Sequence, residues 1–213
     1  MDTKFVYVYL LDTLADWEIG LITAELNSGR FFKKNSPKFI IKTVALTTEP
    51  VLTMGGLKII PDITIEEIDI LSAAILILPG STLWLKQDNS IIMEKTLQFI
   101  KNNIPIAAIC GATMELANTG LLDKFRHTSN NLQFLKSVCT KYKGEDLYCE
   151  ENAVIDNNLI TASGIAPLEF AYQILKKLDV FSEETLNNWY NLFKTQKEEY
   201  FFNLLHSLQK ADG

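Results

Sequence analysis

The sequence predicts an α/β protein with a doubly wound, mostly parallel sheet and helices on both faces. Short apolar, strand-like runs alternate along the chain with segments whose apolar residues recur at helical spacing. Three of the strand-like runs end in loops of small or polar residues, at 11–18, 79–84 and 110–113. Because sites in such sheets lie at the carboxyl ends of the strands, we expect a functional site where these loops meet.

Each element follows from a local pattern. The first strand is the apolar run Phe-Val-Tyr-Val-Tyr-Leu-Leu, and the first helix is indicated by Trp17, Leu21 and Leu26 at helical spacing. Met-Gly-Gly at 54–56 predicts a hairpin over 51–61. The predicted strands are 5–11, 39–47, 73–78, 104–109, 125–128, 153–155 and 159–162. The predicted helices are 16–28, 64–68, 89–101, 113–118, 131–142, 167–178, 183–193 and 196–208.

The length and composition favour one folded α/β domain with an appendage. Of 213 residues, 47 % are apolar and 22 % are charged, which is enough apolar surface for a packed core. We expect the α/β domain at residues 1–180. Residues 181–213 are predicted to form a C-terminal helical extension that packs on this domain or on a second subunit.

Charge and motifs exclude several classes of function. The net charge of −6, without a basic face, argues against nucleic acid as a partner. No apolar run is long enough for a membrane span, and the first residues lack the pattern of a signal peptide. Three cysteines without metal-ligand spacing favour reduced thiols in the cytoplasm. No metal, nucleotide or dinucleotide motif is present, so we expect no metal and no cofactor.

Cys110 is the strongest candidate for a reactive residue. It ends an apolar run and precedes two small residues, Gly111 and Ala112, and then a helix pattern. Such a nucleophile elbow lifts the side chain into a cleft, and the helix N-terminus favours the thiolate. The sequence therefore predicts a lowered thiol pKa, although a cysteine that merely packs as a small hydrophobe is the alternative.

Glu18 is the candidate partner of this cysteine. It begins the first helix, just past the end of the first strand. A carboxyl group there would stabilise the thiolate when protonated and act as a base when ionised. The alternative is a first-turn acid that complements the helix dipole.

Backbone N–H groups of two glycine-containing turns are candidate oxyanion donors. Gly80 and Ser81 follow one buried strand, and Gly111 and Ala112 follow Cys110. The alternative for Gly80 is an ordinary turn between a strand and a helix.

Three further residues are weaker candidates. Trp84 follows the glycine loop and Gly164 follows the strand 159–162, so both are expected to line the pocket. His127 is the only imidazole expected near the sheet, with a packing role as its alternative.

Five motifs in this order resemble the ThiJ/PfpI family of the class I glutamine-amidotransferase-like superfamily. They are Ala-Asp-Trp-Glu ending at Glu18, Ile-Leu-Pro-Gly ending at Gly80, Ala-Ala-Ile-Cys-Gly-Ala-Thr around Cys110, Gly-Leu-Leu-Asp from Gly120, and Thr-Ala-Ser-Gly-Ile-Ala-Pro-Leu-Glu-Phe-Ala from Thr161. The resemblance covers residues 4–179. The remaining tail resembles the extra helices of a bacterial subgroup described as intracellular proteases or amidases.

The resemblance implies a flavodoxin-like fold, often in a homodimer. It implies Cys110 as the nucleophile, Glu18 as the acid beside it and Gly80 as an oxyanion donor. Gly111 stands where the protease branch carries a histidine, and Ser-Gly-Ile-Ala-Pro at 163–167 replaces the His-x-Glu of the amidotransferases. His127 lies about one residue from the histidine of the glyoxalase-like branch, and such a slip turns a side chain to the other face of a strand.

Three functions stay open at this stage. The first is a cysteine-dependent hydrolase, amidase or glyoxalase-like enzyme that acts on a small molecule. Peptidase activity is disfavoured because no histidine follows Cys110 to protonate a leaving amine. The second is a redox or stress-response module in which Cys110 is oxidised to a sulfinic acid. The third is a protein that binds a ligand without turnover.

Overall fold

The computed structural model describes residues 3–211, with side chains through residue 208. Residues 1 and 2 of the predicted α/β domain and residues 212 and 213 of the predicted extension lie outside the described residues. The strands are β1 (Thr3–Tyr9), β2 (Lys38–Ala45), β3 (Val51–Leu52), β4 (Lys58–Ile59), β5 (Ile63–Thr64), β6 (Ala73–Leu78), β7 (Ile106–Ile109), β8 (Ala153–Asp156) and β9 (Leu159–Ala162). The helices are α1 (Asp16–Ser28), α2 (Ser90–Lys101), α3 (Gly111–Asn118), α4 (Leu132–Val138), α5 (Pro167–Leu178), α6 (Glu183–Thr195) and α7 (Glu198–Ala211).

Seven strands form one sheet in the order β5-β2-β1-β6-β7-β9-β8, and β3 and β4 form a separate hairpin. All neighbours in the large sheet run parallel except β8, which is antiparallel to β9. The predicted doubly wound, mostly parallel sheet is therefore confirmed. Since β1, β6 and β7 are adjacent and parallel, their carboxyl ends meet at one edge, and the loops that follow them meet there too.

The central strands are apolar along their whole length because both faces of the sheet are covered. Residues 75–78 of β6 and 106–109 of β7 are completely buried. A parallel sheet covered on two sides needs continuous rather than alternating apolar runs. This explains why these two strands were recognisable in the sequence.

Three predicted elements differ from the structure. The helix predicted over 64–68 is instead the end of strand β5 followed by a single 3₁₀ turn at Ile65–Glu67. Residues 125–128 do not form a strand, since only a single bridge joins His127 to Tyr148. The helix predicted over 131–142 ends at Val138, because the backbone leaves the helical conformation at Cys139. The following residues instead bring the hydroxyl of Tyr142 to the His127 ring.

The C-terminal helices pack on their own chain. Helix α6 contacts α5, and α7 contacts α6. The indole N–H of Trp189 in α6 donates to Oε1 of Glu25 in α1 at 3.0 Å, and both side chains are buried. No helix within residues 3–211 is both long and apolar enough to cross a membrane.

Candidate active site

Cys110 occupies a strained turn between β7 and α3. Its backbone has φ 57° and ψ −122°, a conformation that costs an L-residue energy and is found mainly at functional sites. Its N–H donates to the carbonyl oxygen of Ala162 at 3.0 Å, which ties the turn to β9. The side chain is only partly buried, so the sulfur lies at the carboxyl edge of the sheet within reach of solvent.

Glu18 points into the same region from the start of α1. The side chain is 1 % exposed, and its Oε2 accepts the N–H of Gly80 at 2.5 Å. Its Oε1 is buried and has no hydrogen-bond partner among the described residues. A buried carboxyl oxygen without a donor favours the protonated form of the group.

Two glycines make the approach of Glu18 and Cys110 possible. A Cβ at position 80 would lie 2.7 Å from the Cβ of Cys110 and 2.8 Å from each carboxyl oxygen of Glu18. A Cβ at position 164 would lie 2.7 Å from the Cys110 sulfur and 3.1 Å from Oε1 of Glu18. Any side chain at Gly80 or Gly164 would therefore collide with the pair.

The electrostatics of the pair differ from the sequence prediction. Burial raises the pKa of Glu18 to about 7, although the Gly80 N–H opposes the shift. Burial also raises the pKa of the Cys110 thiol; an Asn130 N–H opposes that shift, and the charge of an ionised Glu18 adds to it. The predicted lowering of the thiol pKa by the helix N-terminus is wrong because desolvation outweighs it. A thiolate is therefore favoured when Glu18 holds a proton, and the two groups titrate as a pair.

Asn130 is a site residue that the sequence analysis missed. Its Nδ2 donates to the Cys110 sulfur at 3.3 Å, and its Oδ1 accepts the N–H of Gly164 at 2.8 Å. The side chain is exposed. One signal was available, since Asn130 lies two residues after the strand-like segment 125–128, and polar residues after strand-like segments gave the other site loops.

The predicted oxyanion donors lie at the site but differ in the groups that they contact. The Gly80 N–H is directed to Glu18. Gly111 and Ala112 are the first two residues of α3 and are buried beside the cysteine. The Ser81 hydroxyl binds the Asp12 carbonyl at 2.7 Å, so it connects the loops that follow β1 and β6.

Trp84 and His127 make their hydrogen bonds to groups other than Cys110 and Glu18. Trp84 is completely buried against Tyr9, and its indole N–H donates to the Pro79 carbonyl at 2.7 Å. Trp84 therefore packs against the loop at 79–84 and does not line an open pocket, contrary to the prediction. The ring nitrogens of His127 contact the Phe125 carbonyl and the Tyr142 hydroxyl, each at 2.7 Å. Burial lowers the pKa of His127, and these contacts assign its ring to packing and not to Cys110.

A groove lies beside the site. The indole N–H of Trp17 donates to the Gly164 carbonyl at 3.0 Å, which fixes this half-exposed ring next to the cysteine loop. Trp17 also lines an open, mainly apolar groove of about 560 Å³ with Met54 and Leu57. No cluster of three or more metal-ligating side chains occurs among the described residues.

A model of the DJ-1/PfpI family matches residues 4–177. The chain belongs to this family. It is 49 % identical over 210 residues to a Bacillus subtilis protein named Uncharacterized protease YoaZ, covering 99 % of this chain and 100 % of that protein. It is 35 % identical over 182 residues to Uncharacterized protease YdeA of the same organism, covering 83 % of this chain and 84 % of that one.

Solved structures agree with this assignment. The thiJ/pfpI family protein from Bacillus anthracis superposes with a TM-score of 0.92 at 52 % identity, covering 97 % of this chain and 98 % of that one. The DJ-1 superfamily protein Atu0886 from Agrobacterium tumefaciens gives 0.80 at 30 % identity, covering 91 % and 98 %. The flavodoxin-like fold implied by the sequence motifs is thereby confirmed.

Proposed function

We propose that this chain is a cysteine-dependent enzyme that acts on the carbonyl group of a small molecule, as a hydrolase, an amidase or a glyoxalase-like enzyme. The proposal is carried by one pairing, in which a cysteine in a strained elbow lies beside a buried carboxyl group with a pKa of about 7. The names of the Bacillus subtilis relatives also favour an enzyme over a non-catalytic protein.

Glu18 is the proton carrier in this proposal. At a pKa of about 7 it takes up and releases a proton near neutral pH, as general acid–base catalysis requires. The Cys110 proton moves to Glu18, and the thiolate attacks the carbonyl carbon. Backbone N–H groups of Gly111 and Ala112 at the start of α3 stabilise the oxygen that gains negative charge.

A small, electrophilic substrate suits this site better than a peptide. Peptide cleavage by a cysteine nucleophile commonly uses a histidine beside it to protonate the leaving amine. The chain has two histidines, of which His127 is engaged in packing and His206 lies in the last helix. The groove beside Trp17 suits a substrate with an apolar part.

We also propose that the chain forms the homodimer that the resemblance implies. Sedimentation should then give a mass of twice 24.1 kDa.

Cys110→Ser tests the proposal. Hydrolysis of p-nitrophenyl acetate and consumption of methylglyoxal by the wild type are compared with those of the variant. We expect turnover to fall by a factor on the order of 10³ or more, because the nucleophile is lost. The control is Cys149→Ser, a half-buried cysteine outside the site, which keeps wild-type rates. Unchanged turnover by Cys110→Ser would contradict the proposal.

A further inference from the structure

Asn130 holds a position beside the Cys110 sulfur that the mechanism above does not use. Its carboxamide has one fixed orientation, because Oδ1 accepts the Gly164 N–H at 2.8 Å and the NH₂ group must then face the sulfur. Gly164 is buried, so the backbone that sets this orientation is itself held in place. The amide is therefore preorganised as a donor at the reacting atom.

The NH₂ group of Asn130 has more hydrogen-bonding capacity than the sulfur uses. A primary amide carries two donor hydrogens, and the contact to the Cys110 sulfur takes one of them. The Asn130 side chain is exposed and the Cys110 sulfur is half-buried, so both can contact a molecule from solvent. The second hydrogen is thus available to an oxygen atom bonded to the carbon under attack.

An additional donor is needed because a predicted one is occupied. The Gly80 N–H donates to Glu18 at 2.5 Å, so it is not free for a substrate oxygen. The N–H groups of Gly111 and Ala112 lie at the start of α3, and that of Gly111 already contacts the Cys110 sulfur. A side-chain amide that supplements backbone donors is an established way to stabilise an oxyanion.

The geometry points to Asn130 as a catalytic residue that hydrogen-bonds both the Cys110 thiolate and the oxygen of the substrate carbonyl. In the addition step, a sulfur electron pair forms the C–S bond and the π pair of the C=O bond moves to oxygen. That oxygen accepts the second Nδ2 hydrogen as a hydrogen bond and then takes the proton held by Glu18, giving a neutral hemithioacetal from an aldehyde. This inference rests on the proposed function.

Two substitutions separate this role from a structural one. Asn130→Asp keeps an acceptor for the Gly164 N–H but cannot donate, whereas Asn130→Ala loses both abilities. If Asn130 only positions Gly164, the carboxylate of Asn130→Asp raises the thiol pKa by repulsion but leaves kcat at a pH above that pKa near the wild-type value, and only Asn130→Ala loses kcat. If Asn130 is a donor, both variants are impaired. Asn131→Asp is the matched control, since this neighbour caps α4 through Oδ1 and aspartate caps equally well.

Three measurements are made on each variant. The first is the pH dependence of Cys110 alkylation by iodoacetamide, the second is turnover of the two probes above, and the third is the methylglyoxal concentration that halves the alkylation rate. For both Asn130 variants we expect a higher thiol pKa, a fall in kcat of about 10²–10³-fold and weaker protection by methylglyoxal. Asn131→Asp should match the wild type throughout.

The outcomes distinguish this inference from the proposed function. Wild-type kcat and protection in Asn130→Asp at a pH above its thiol pKa would overturn the role of Asn130, even if Cys110→Ser abolishes turnover. Turnover that survives Cys110→Ser would instead overturn the proposed function. If the wild type turns over neither probe, protection by methylglyoxal, measured at a pH above the thiol pKa of each variant, still decides whether Asn130 is a donor.

Discussion

At the scale of single residues, the site depends on a carboxyl group that the fold buries. Glu18 holds its proton up to a pKa of about 7 because burial penalises the carboxylate, whereas an exposed glutamate titrates near 4.5. The unfolded chain therefore releases this proton at a lower pH than the folded protein does. Between about pH 4.5 and 7 the folded state binds more protons, so this group makes the free energy of unfolding fall as the pH rises.

Glu18→Gln should remove this pH dependence. The shift corresponds to about 3 kcal/mol, lost between pH 5 and 8 in the wild type. Glutamine keeps an acceptor for the Gly80 N–H but does not titrate. Between pH 5 and pH 8, the unfolding free energy of Glu18→Gln should therefore fall by about 3 kcal/mol less than that of the wild type. Urea unfolding at pH 5 and 8 measures the difference.

The control for Glu18→Gln is the same change at Glu94, an exposed residue of α2. Glu94→Gln should keep the wild-type pH dependence. An unchanged pH dependence in Glu18→Gln would mean that Glu18 does not retain its proton on folding.

At the scale of elements, the start of α3 and the loop after β6 are packed too closely for a side chain at position 111. A Cβ on Gly111 would lie 2.8 Å from the Ser81 carbonyl oxygen and 3.1 Å from Cδ1 of the buried Trp84. The surrounding backbone therefore leaves no room at position 111 for the histidine that the protease branch carries there. A peptidase site would require a different course of this loop.

Gly111→His should therefore destabilise the protein without creating a peptidase. Overpacking of this kind costs about 1–3 kcal/mol, because the loop backbone has to move. Thermal unfolding and hydrolysis of casein measure the two effects. Thr119→His, at the exposed other end of α3, should be close to wild type in both. A stable Gly111→His protein that cleaves casein would contradict the packing argument.

Elements with strong local signals were predictable, and those fixed by distant contacts were not. Helix α1 and helix α5 have the predicted bounds, 16–28 and 167–178, because apolar spacing and Pro167 mark them. Residues 125–128 and 139–142 were assigned incorrectly, since contacts between His127, Tyr142 and Tyr148 determine them, whereas α4 lies within the predicted helix. Cys110, Glu18 and Gly80 were predictable as the residues that end or follow strands. Asn130 was missed, because the strand-like segment before it forms no strand and so gives no sheet edge from which to place its side chain.

At the scale of the whole molecule, helix α1 connects the site to the C-terminal helices. Its first turn carries Glu18, and its last turn carries Glu25, which is 1 % exposed. Glu25 forms an ion pair with Arg30 and accepts the indole N–H of Trp189 from α6. The extension is thus fixed to the far end of the helix that carries Glu18.

Trp189→Phe tests whether the extension supports the fold or also controls the site. The substitution keeps an aromatic ring but removes the hydrogen bond to buried Glu25, so we expect a loss of about 2 kcal/mol in unfolding free energy. Because Trp189 contacts α1 at the end opposite Glu18, the pH dependence of Cys110 alkylation should stay as in the wild type. The control is Tyr172→Phe, whose exposed hydroxyl makes only a 3.4 Å contact to Asn187 and contributes little to stability. A changed alkylation profile in Trp189→Phe would instead show that the C-terminal helices act on the site through α1.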